Sequence, residues 1–346
     1  MTFRVGRRGN AQRLLHNAES VAYWLAVAPL ASRLPASLAY RVACWRGDWG
    51  FRQRAGQRSE MVLNLRQVLG DELSPEEAER LAREFLRLRS CEVIDVMRLR
   101  GRGRSLAKLV DIRGREHLDA ALAGGKGAIL CSAHFGSYNS AFSLLHASGI
   151  PLTSTGRPVS TKVGVSSAER RLVEFAYTRR LQRHRQRPGI ELQPGRVQGA
   201  VQAAVALRAN EVVTFLSDAP PLGADRDRAV EVTFLGYQAG LLPGVMTLAQ
   251  LTGAPVLMVF MRRLAGYRRQ VLEISAPVPV EGDTAAAFGR CVAAMDAAIT
   301  ANPAHWVYWA NTDDLASAGL LPAAPPPNGT AAVSPQPAVG EPAAPR

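Results

Sequence analysis

A histidine directly after a short apolar run is the residue of this chain best suited to acid–base chemistry. Residues 127–132 (GAILCS) are predicted to form a buried strand, and Ala133 and His134 follow it immediately. Groups just past the carboxyl ends of strands line the ligand site of an open α/β sheet. An imidazole there can take a proton from an attacking hydroxyl and pass it to a leaving thiol. The alternative is a structural histidine whose ring nitrogens are satisfied inside the protein.

Three more residues near strand ends could assist this histidine. Gly136 permits a tight backbone turn, and Asn139, five positions after His134, can fold back towards the ring and fix its tautomer. Asp218 follows the apolar run 211–217, where its carboxylate can orient an acceptor hydroxyl. The structural alternative for Asp218 is helix capping.

Strands that alternate with helices are predicted to position these residues. The apolar runs that indicate buried strands are 127–132, 211–217, 230–234 and 255–261, and residues 270–275 indicate an edge strand. Helical spacing occurs over about 140–147, 197–207 and 242–251. This alternation predicts an α/β fold with a mixed, mostly parallel sheet covered by helices.

The composition excludes several classes of protein. With 346 residues and 47% hydrophobic side chains, the chain can bury a substantial core, so disorder throughout is excluded. Four widely scattered cysteines exclude a disulfide scaffold and show no metal-like spacing. A net charge of +13 favours an anionic partner, either nucleic acid or a membrane surface. No recognised nucleic-acid-binding motif is present, so no nucleic-acid partner is predicted.

The amino-terminal region has the composition of an interfacial membrane anchor. Its apolar run, residues 21–31, is about half the ~20 residues that a spanning helix needs, and no clean signal-peptide cleavage site closes it. Aromatic and basic residues are interleaved around this run: Tyr23, Trp24, Tyr40, Trp45 and Trp49 with Arg41, Arg46, Arg52, Arg54 and Arg58. This pattern suits rings and cations at a headgroup layer. A helical hairpin with a solvated basic rim is the alternative.

Three regions are predicted from these patterns. Residues 1–70 form a basic, amphipathic helical region that associates with a membrane. Residues 71–316 form the α/β domain, which opens with a capped helix at Ser74. Residues 317–346 are Pro- and Ala-rich and are predicted to be disordered.

The segment from His134 to Asn139 resembles the H-x4-D/E signature of the glycerolipid and lysophospholipid acyltransferase superfamily. It is most similar to the lipid A biosynthesis (lauroyl/myristoyl) acyltransferases, in which the motif usually reads His-Phe-Gly-x-Trp-Glu. Further blocks agree in order and spacing, over about residues 12–312 as a whole: 155–158 (TGRP), 215–218 (FLSD), 232–236 (VTFLG), 242–255 and 305–309 (HWVYW).

The resemblance implies an α/β fold of the glycerolipid acyltransferase type and transfer of a fatty acyl group. The donor would be an acyl carrier protein or coenzyme A thioester, and the acceptor a hydroxyl of a membrane glycolipid or lipid A precursor. It further implies His134 as the base, and Arg157 and Asp218 in the substrate cleft with the motif residues Phe135, Gly136 and Ser137. The implied location is the cytoplasmic face of the inner plasma membrane, peripheral or monotopic. No metal or redox cofactor is implied.

Two departures from the family pattern matter. The acidic member of H-x4-D/E is Asn139 here, and a neutral amide stabilises an imidazolium less than a carboxylate does. Either Asn139 only holds the tautomer, or another carboxylate supplies the charge, with Asp218 the best candidate. The alternative function is a catalytically impaired, lipid-binding relative. The residues after the aromatic block are acidic or neutral where the family usually has basic ones, which leaves the acceptor headgroup open.

Overall fold

The first part of the chain that the structure describes is helical. The computed structural model describes residues 22–70, 73–99, 104–156, 190–191, 198–221 and 223–321. A π-helical turn (Tyr23–Val27) precedes helices α1 (Ala28–Ala31), α2 (Ala36–Gln53), α3 (Ala55–Leu69), α4 (Pro75–Arg98) and α5 (Arg104–Ala107). None of the helices within these described ranges has the length and apolar character that a bilayer crossing requires.

Helix α4 begins at the predicted cap and packs closely on α2. The hydroxyl of Ser74 accepts a hydrogen bond from the backbone N–H of Glu77 at 3.1 Å, as expected for a capping serine before an N1 proline. Helix α2 continues through Gly47 without interruption. A Cβ atom at Gly47 would lie 2.6 Å from the backbone of Arg87 on α4. Glycine is therefore required here by the close approach of the two helices.

The remaining elements build a sheet and its covering helices. The strands are β1 (Val110–Arg113), β2 (Ala128–Ser132), β3 (Leu152–Gly156), β4 (Ile190–Glu191), β5 (Val212–Leu216), β6 (Val230–Phe234), β7 (Tyr237–Leu241), β8 (Val256–Arg263) and β9 (Gln270–Val278). The helices are α6 (Arg115–Ala123), α7 (Tyr138–Ala147), α8 (Gln198–Arg208), α9 (Gly244–Thr252), α10 (Thr284–Ala301) and α11 (Thr312–Ser317). Short 3-10 turns cover Gly223–Arg228, Pro303–His305 and Val307–Ala310.

The main sheet is mixed and mostly parallel, which confirms the predicted fold class. Its seven described strands have the order β1-β9-β8-β2-β5-β3-β4. Neighbouring strands run parallel except β8 and β9, which are antiparallel. The central strand β2 is buried along its whole length, as expected for a strand with helices on both faces.

Alternate residues of β2 enter two different apolar clusters. Ile129 and Cys131 pack with residues of α9 and α10 on one face. Leu130 packs with Phe142 and Leu145 of α7 on the other face. Both faces of β2 are therefore covered, and the polar residues that follow the strand can reach solvent only at its end.

Two predictions about the strands were wrong, and four strands were not predicted. Strand β9 is not an edge strand, because it pairs with both β1 and β8. Strand β6 does not join the main sheet and instead forms a two-stranded antiparallel hairpin with β7. Strands β1, β3, β4 and β7 were not predicted as strands. Their short runs carry polar or glycine residues that hide them among turns.

Some predicted features lie outside the described residues. These are Arg157, the first 21 residues of the basic amino-terminal region, and the tail from residue 322 onward. Of the predicted tail, residues 317–321 are described, and Leu320 and Leu321 are buried.

Candidate active site

Strand register brings His134 and Asp218 to the same level of the sheet. Strands β2 and β5 are parallel neighbours, and their register pairs Ser132 with Leu216. His134 lies two residues after Ser132, and Asp218 lies two residues after Leu216. Both side chains therefore emerge at the carboxyl ends of adjacent strands, where ligands bind in open α/β sheets.

The carboxylate of Asp218 holds the histidine at two points. Its Oδ1 atom lies 2.7 Å from Nδ1 of His134, and its Oδ2 atom accepts the backbone N–H of His134 at 2.8 Å. Oδ2 also accepts the indole N–H of Trp306 at 2.8 Å. The Asp218 side chain is fully buried, whereas that of His134 is 23% exposed. Three N–H donors thus satisfy this carboxylate, whose burial without hydrogen bonds would cost free energy of folding.

This contact fixes the tautomer of the imidazole. A carboxylate can only accept hydrogen bonds, so Nδ1 of the neutral His134 ring carries the hydrogen. Nε2 then carries the lone pair and lies on the side of the ring away from Asp218. The arrangement can accept a proton at Nε2 and stabilise the resulting imidazolium from Nδ1.

Two tyrosines flank the imidazole edge-on. The ring of Tyr138 lies 5.3 Å from that of His134 and the ring of Tyr308 lies 5.2 Å from it, centroid to centroid. Burial raises the pKa of Tyr138, and the charge of Glu92 adds to this effect. The Tyr138 phenol therefore stays protonated and neutral beside the histidine at physiological pH.

The backbone around His134 is clamped by the aromatic block near the end of the domain. The carbonyl of His134 accepts the N–H of Val307 at 3.0 Å, and the N–H of Gly136 donates to the carbonyl of His305 at 2.8 Å. Gly136 has a φ of +56°, and a Cβ atom there would lie 1.7 Å from the carbonyl oxygen of Met261. Glycine is therefore the residue that lets this turn fit between strand β8 and the aromatic block.

A family match covers most of the chain. The sequence profile of the family described as bacterial lipid A biosynthesis acyltransferase matches residues 8–311. The chain belongs to this family. Comparison with curated proteins gave no match. Family membership indicates lipid A acyltransferase activity in general, and an acyltransferase of this kind uses an acyl thioester donor and a lipid acceptor.

In this lipid A acyltransferase family member, the side chains of Phe135 and Ser137 point into the protein. Phe135 is 1% exposed, and its ring stacks on that of His305 at 5.2 Å. The hydroxyl of Ser137 donates to the buried carboxylate of Asp95 at 2.9 Å. Substrate contact by Phe135, Gly136 and Ser137 stays a prediction.

Asn139 lies on the first turn of α7. Nδ1 of His134 is paired with Asp218. The carboxylate that contacts the imidazole thus belongs to Asp218, which follows β5, and the residue five positions after the histidine does not supply it.

A second imidazole nearby belongs to the structural framework. His305 is 5% exposed, and its Nε2 atom accepts the backbone N–H of Arg263 at 3.0 Å. Burial, followed by the charges of Arg89, Arg263 and Arg262, lowers the pKa of His305 to about 3. This ring is therefore neutral at physiological pH and holds the end of β8 against the aromatic block.

Sequence reasoning missed a buried polar cluster centred on Asp95 of α4. The groups that contact its carboxylate are the hydroxyls of Tyr40 and Ser137, the guanidinium of Arg263 and the amide of Gln270. Asp95 is the one acidic residue in the otherwise apolar run 93–97 (VIDVM), which is the signal that could have found it. Losing one partner of such a buried ion pair typically costs about 3–5 kcal/mol.

Trp306 was predicted only as part of a closing aromatic block, and its hydrogen bond to Asp218 was not foreseen.

Within the described ranges, no group of three or more His, Cys, Asp or Glu side chains is arranged to hold a metal ion.

Proposed function

We propose that this protein transfers a fatty acyl group from an acyl carrier protein or coenzyme A thioester to a hydroxyl of a membrane glycolipid or lipid A precursor, with His134 as the general base. The observation that carries the proposal is the 2.7 Å contact between Nδ1 of His134 and Asp218. This contact assigns the lone pair to Nε2 of a partly exposed ring at a strand end.

The proposed reaction consists of two proton transfers by His134 on either side of the acyl transfer. Nε2 of His134 removes the proton of the acceptor hydroxyl as its oxygen attacks the thioester carbonyl carbon. The tetrahedral intermediate collapses, the carbon–sulfur bond breaks, and the imidazolium returns the proton to the leaving thiolate. The products are the acylated lipid and the free thiol. Asp218 stabilises the imidazolium between these two proton transfers.

The alternative proposal, a catalytically impaired lipid-binding relative, rests on Asn139 in the position of the acidic residue. The contact of Asp218 with His134 favours the enzyme, because a buried carboxylate already faces the ring. In both proposals Arg157 is a candidate for binding a phosphate of the acceptor, since a guanidinium can bind phosphate through two hydrogen bonds.

Turnover of the wild-type protein distinguishes the two proposals. Purified protein in detergent–lipid mixed micelles is given a lipid A precursor and either an acyl carrier protein thioester or an acyl-coenzyme A. We expect a product heavier by one acyl group, formed many times per protein molecule and followed by mass spectrometry. Stoichiometric binding of the lipid with no product from either donor would instead support the lipid-binding relative.

We also propose that the amino-terminal helices hold the protein on the cytoplasmic face of the inner membrane. Helix α2 presents Leu38, Arg41, Trp45 and Arg52 as exposed residues at spacings of three, four and seven. Leu38 is 44% exposed and Trp45 is 60% exposed. Exposed apolar side chains interleaved with arginines suit the boundary between headgroups and acyl chains. Tyr23 and Tyr40, which the sequence grouped with this surface, are instead buried.

Replacing Leu38 and Trp45 together with aspartate is expected to lower binding to anionic liposomes by at least about 10-fold, because two apolar side chains no longer enter the bilayer boundary. Cosedimentation with vesicles of phosphatidylethanolamine and phosphatidylglycerol measures this effect. Leu251→Asp is the matched control, since Leu251 is 70% exposed on a different helix, α9. Equal binding of the double variant and the control would refute the proposed surface.

A further inference from the structure

We infer that Asp95 is a positioning residue, which sets the orientation of His134 through the hydroxyl of Ser137. The inference rests on the proposed function, because it assigns Asp95 a part in the use of His134 as the base. It concerns the segment between His134 and helix α7, whose backbone direction determines where the imidazole points.

The Asp95 carboxylate is anchored independently of that segment. Its Oδ1 atom accepts the hydroxyl of Tyr40 on α2 at 2.7 Å. Its Oδ2 atom accepts the amide N–H of Gln270 at the start of β9 at 3.2 Å and is paired with the guanidinium of Arg263 at the end of β8. Asp95 and Gln270 are fully buried, and Tyr40 is 1% exposed. Contacts from α2, β8 and β9 thus fix both oxygens of this α4 carboxylate in place.

Ser137 connects this fixed carboxylate to the histidine. It lies three residues after His134 and donates to Oδ2 of Asp95 at 2.9 Å. Between the two residues, Phe135 is held against His305, and Gly136 is wedged against the carbonyl of Met261. His134 itself is held by Asp218 and Val307, so the contact between Ser137 and Asp95 fixes the other end of this short segment. Its loss loosens the backbone turn between His134 and α7, and through that turn the imidazole loses part of its alignment with Asp218.

The local geometry of Ser137 supports a role beyond ordinary helix capping. Ser137 is the N-cap residue of α7, yet its side chain accepts no capping hydrogen bond from that helix. Serine at an N-cap usually accepts an N–H of the first turn and thereby stabilises the helix. Here the hydroxyl is directed to Asp95 instead, so this contact with the buried carboxylate takes the place of the cap.

Two variants, each lacking one hydroxyl that donates to Asp95, distinguish a positioning role of this carboxylate from a general effect on stability. Ser137→Ala removes the contact on the histidine side, and Tyr40→Phe removes the contact on the α2 side. We expect Ser137→Ala to lower kcat about 10-fold with unchanged KM values for donor and acceptor, as a small misplacement of a catalytic group does. We expect Tyr40→Phe to keep kcat within about twofold, because Arg263 and Gln270 still hold the Oδ2 atom that Ser137 contacts. The thermal midpoint of Tyr40→Phe is expected to fall by about as much as that of Ser137→Ala.

A spectroscopic readout is independent of turnover. Nitrogen-15 NMR of histidine-labelled protein reports the tautomer of His134, identified by comparison with His134→Gln. We expect the Nδ1–H form to lose population in Ser137→Ala and to persist in Tyr40→Phe. If the wild-type protein shows this tautomer but no turnover, the proposed function fails. The spectra of the two variants still test whether Asp95 and Ser137 position His134.

Three results would overturn the inference. One is an equal loss of kcat in both variants, which indicates a purely structural cluster. Another is a raised acceptor KM with unchanged kcat in Ser137→Ala, which indicates direct substrate contact. The third is a His134 tautomer population that does not differ between Ser137→Ala and the wild type.

Discussion

Replacing His134 with glutamine is expected to lower kcat/KM for acyl transfer by about 10³-fold or more. In the proposed mechanism, Nε2 of His134 removes the hydroxyl proton and returns it to the thiolate, and the variant lacks this nitrogen. General acid–base catalysis of this kind raises a reaction rate by about 10²–10⁴-fold. Glutamine preserves a polar side chain of similar reach beside Asp218. The initial rate of product formation by mass spectrometry, with matched substrate concentrations, measures the loss.

His146→Gln is the matched control for this substitution. His146 lies in the last turn of α7, and its ring nitrogen Nδ1 is 3.3 Å from the carbonyl of Ile150, so its loss is expected to leave the rate within about twofold. Thermal midpoints of both variants establish that they are folded. A folded His134→Gln protein with a rate near that of the wild type would exclude the mechanism.

Replacing Asp218 with asparagine is expected to lower kcat by about 10²–10⁴-fold with little change in KM. Three N–H groups donate to this carboxylate, and an amide offers them only one oxygen. If its NH2 group faces the ring, Nδ1 of His134 must accept, which moves the ring hydrogen to Nε2 and removes the base. The measurement is kcat and KM for both substrates, together with the tautomer of His134 by nitrogen-15 NMR.

Asn139→Asp is the companion to that variant, because it restores an acidic residue at the motif position. Since Nδ1 of His134 is already paired with Asp218, we expect kcat to change by less than about threefold. A rise of 10-fold or more, or equal losses in Asp218→Asn and Asn139→Ala, would show that the assignment of the charge to Asp218 is wrong.

The closeness of His134 and Asp218 could be anticipated from the sequence, because each follows a buried apolar run. Strands of this composition lie in the centre of a parallel sheet, and their carboxyl ends share one edge. Which strands are neighbours depends on contacts far apart in the chain, and so β9 and β6 were placed wrongly. The hydrophobic pattern gives the type of a strand but not its partner.

The contacts of individual polar side chains were harder to predict. Ser137 and Asp95 are 42 residues apart, and nothing local in either segment indicates the other. Tyr23 and Tyr40 were grouped with the membrane surface because of their neighbours in sequence. Helix rotation decides which side of α2 faces the protein, and it places Tyr40 against Asp95 while Trp45 stays exposed.

The clamp formed by residues 305–307 has a consequence for the order in which this protein matures. Trp306 follows its partner Asp218 by 88 residues, and the same short segment binds the backbone of His134. A ribosome that has translated β2, β5 and the residues that follow them has therefore made the histidine and the aspartate but not the segment that contacts both. The contacts of Trp306 with Asp218 and of Val307 with His134 can form only once this segment has left the exit tunnel. A shorter nascent chain therefore carries the histidine and the aspartate without these contacts.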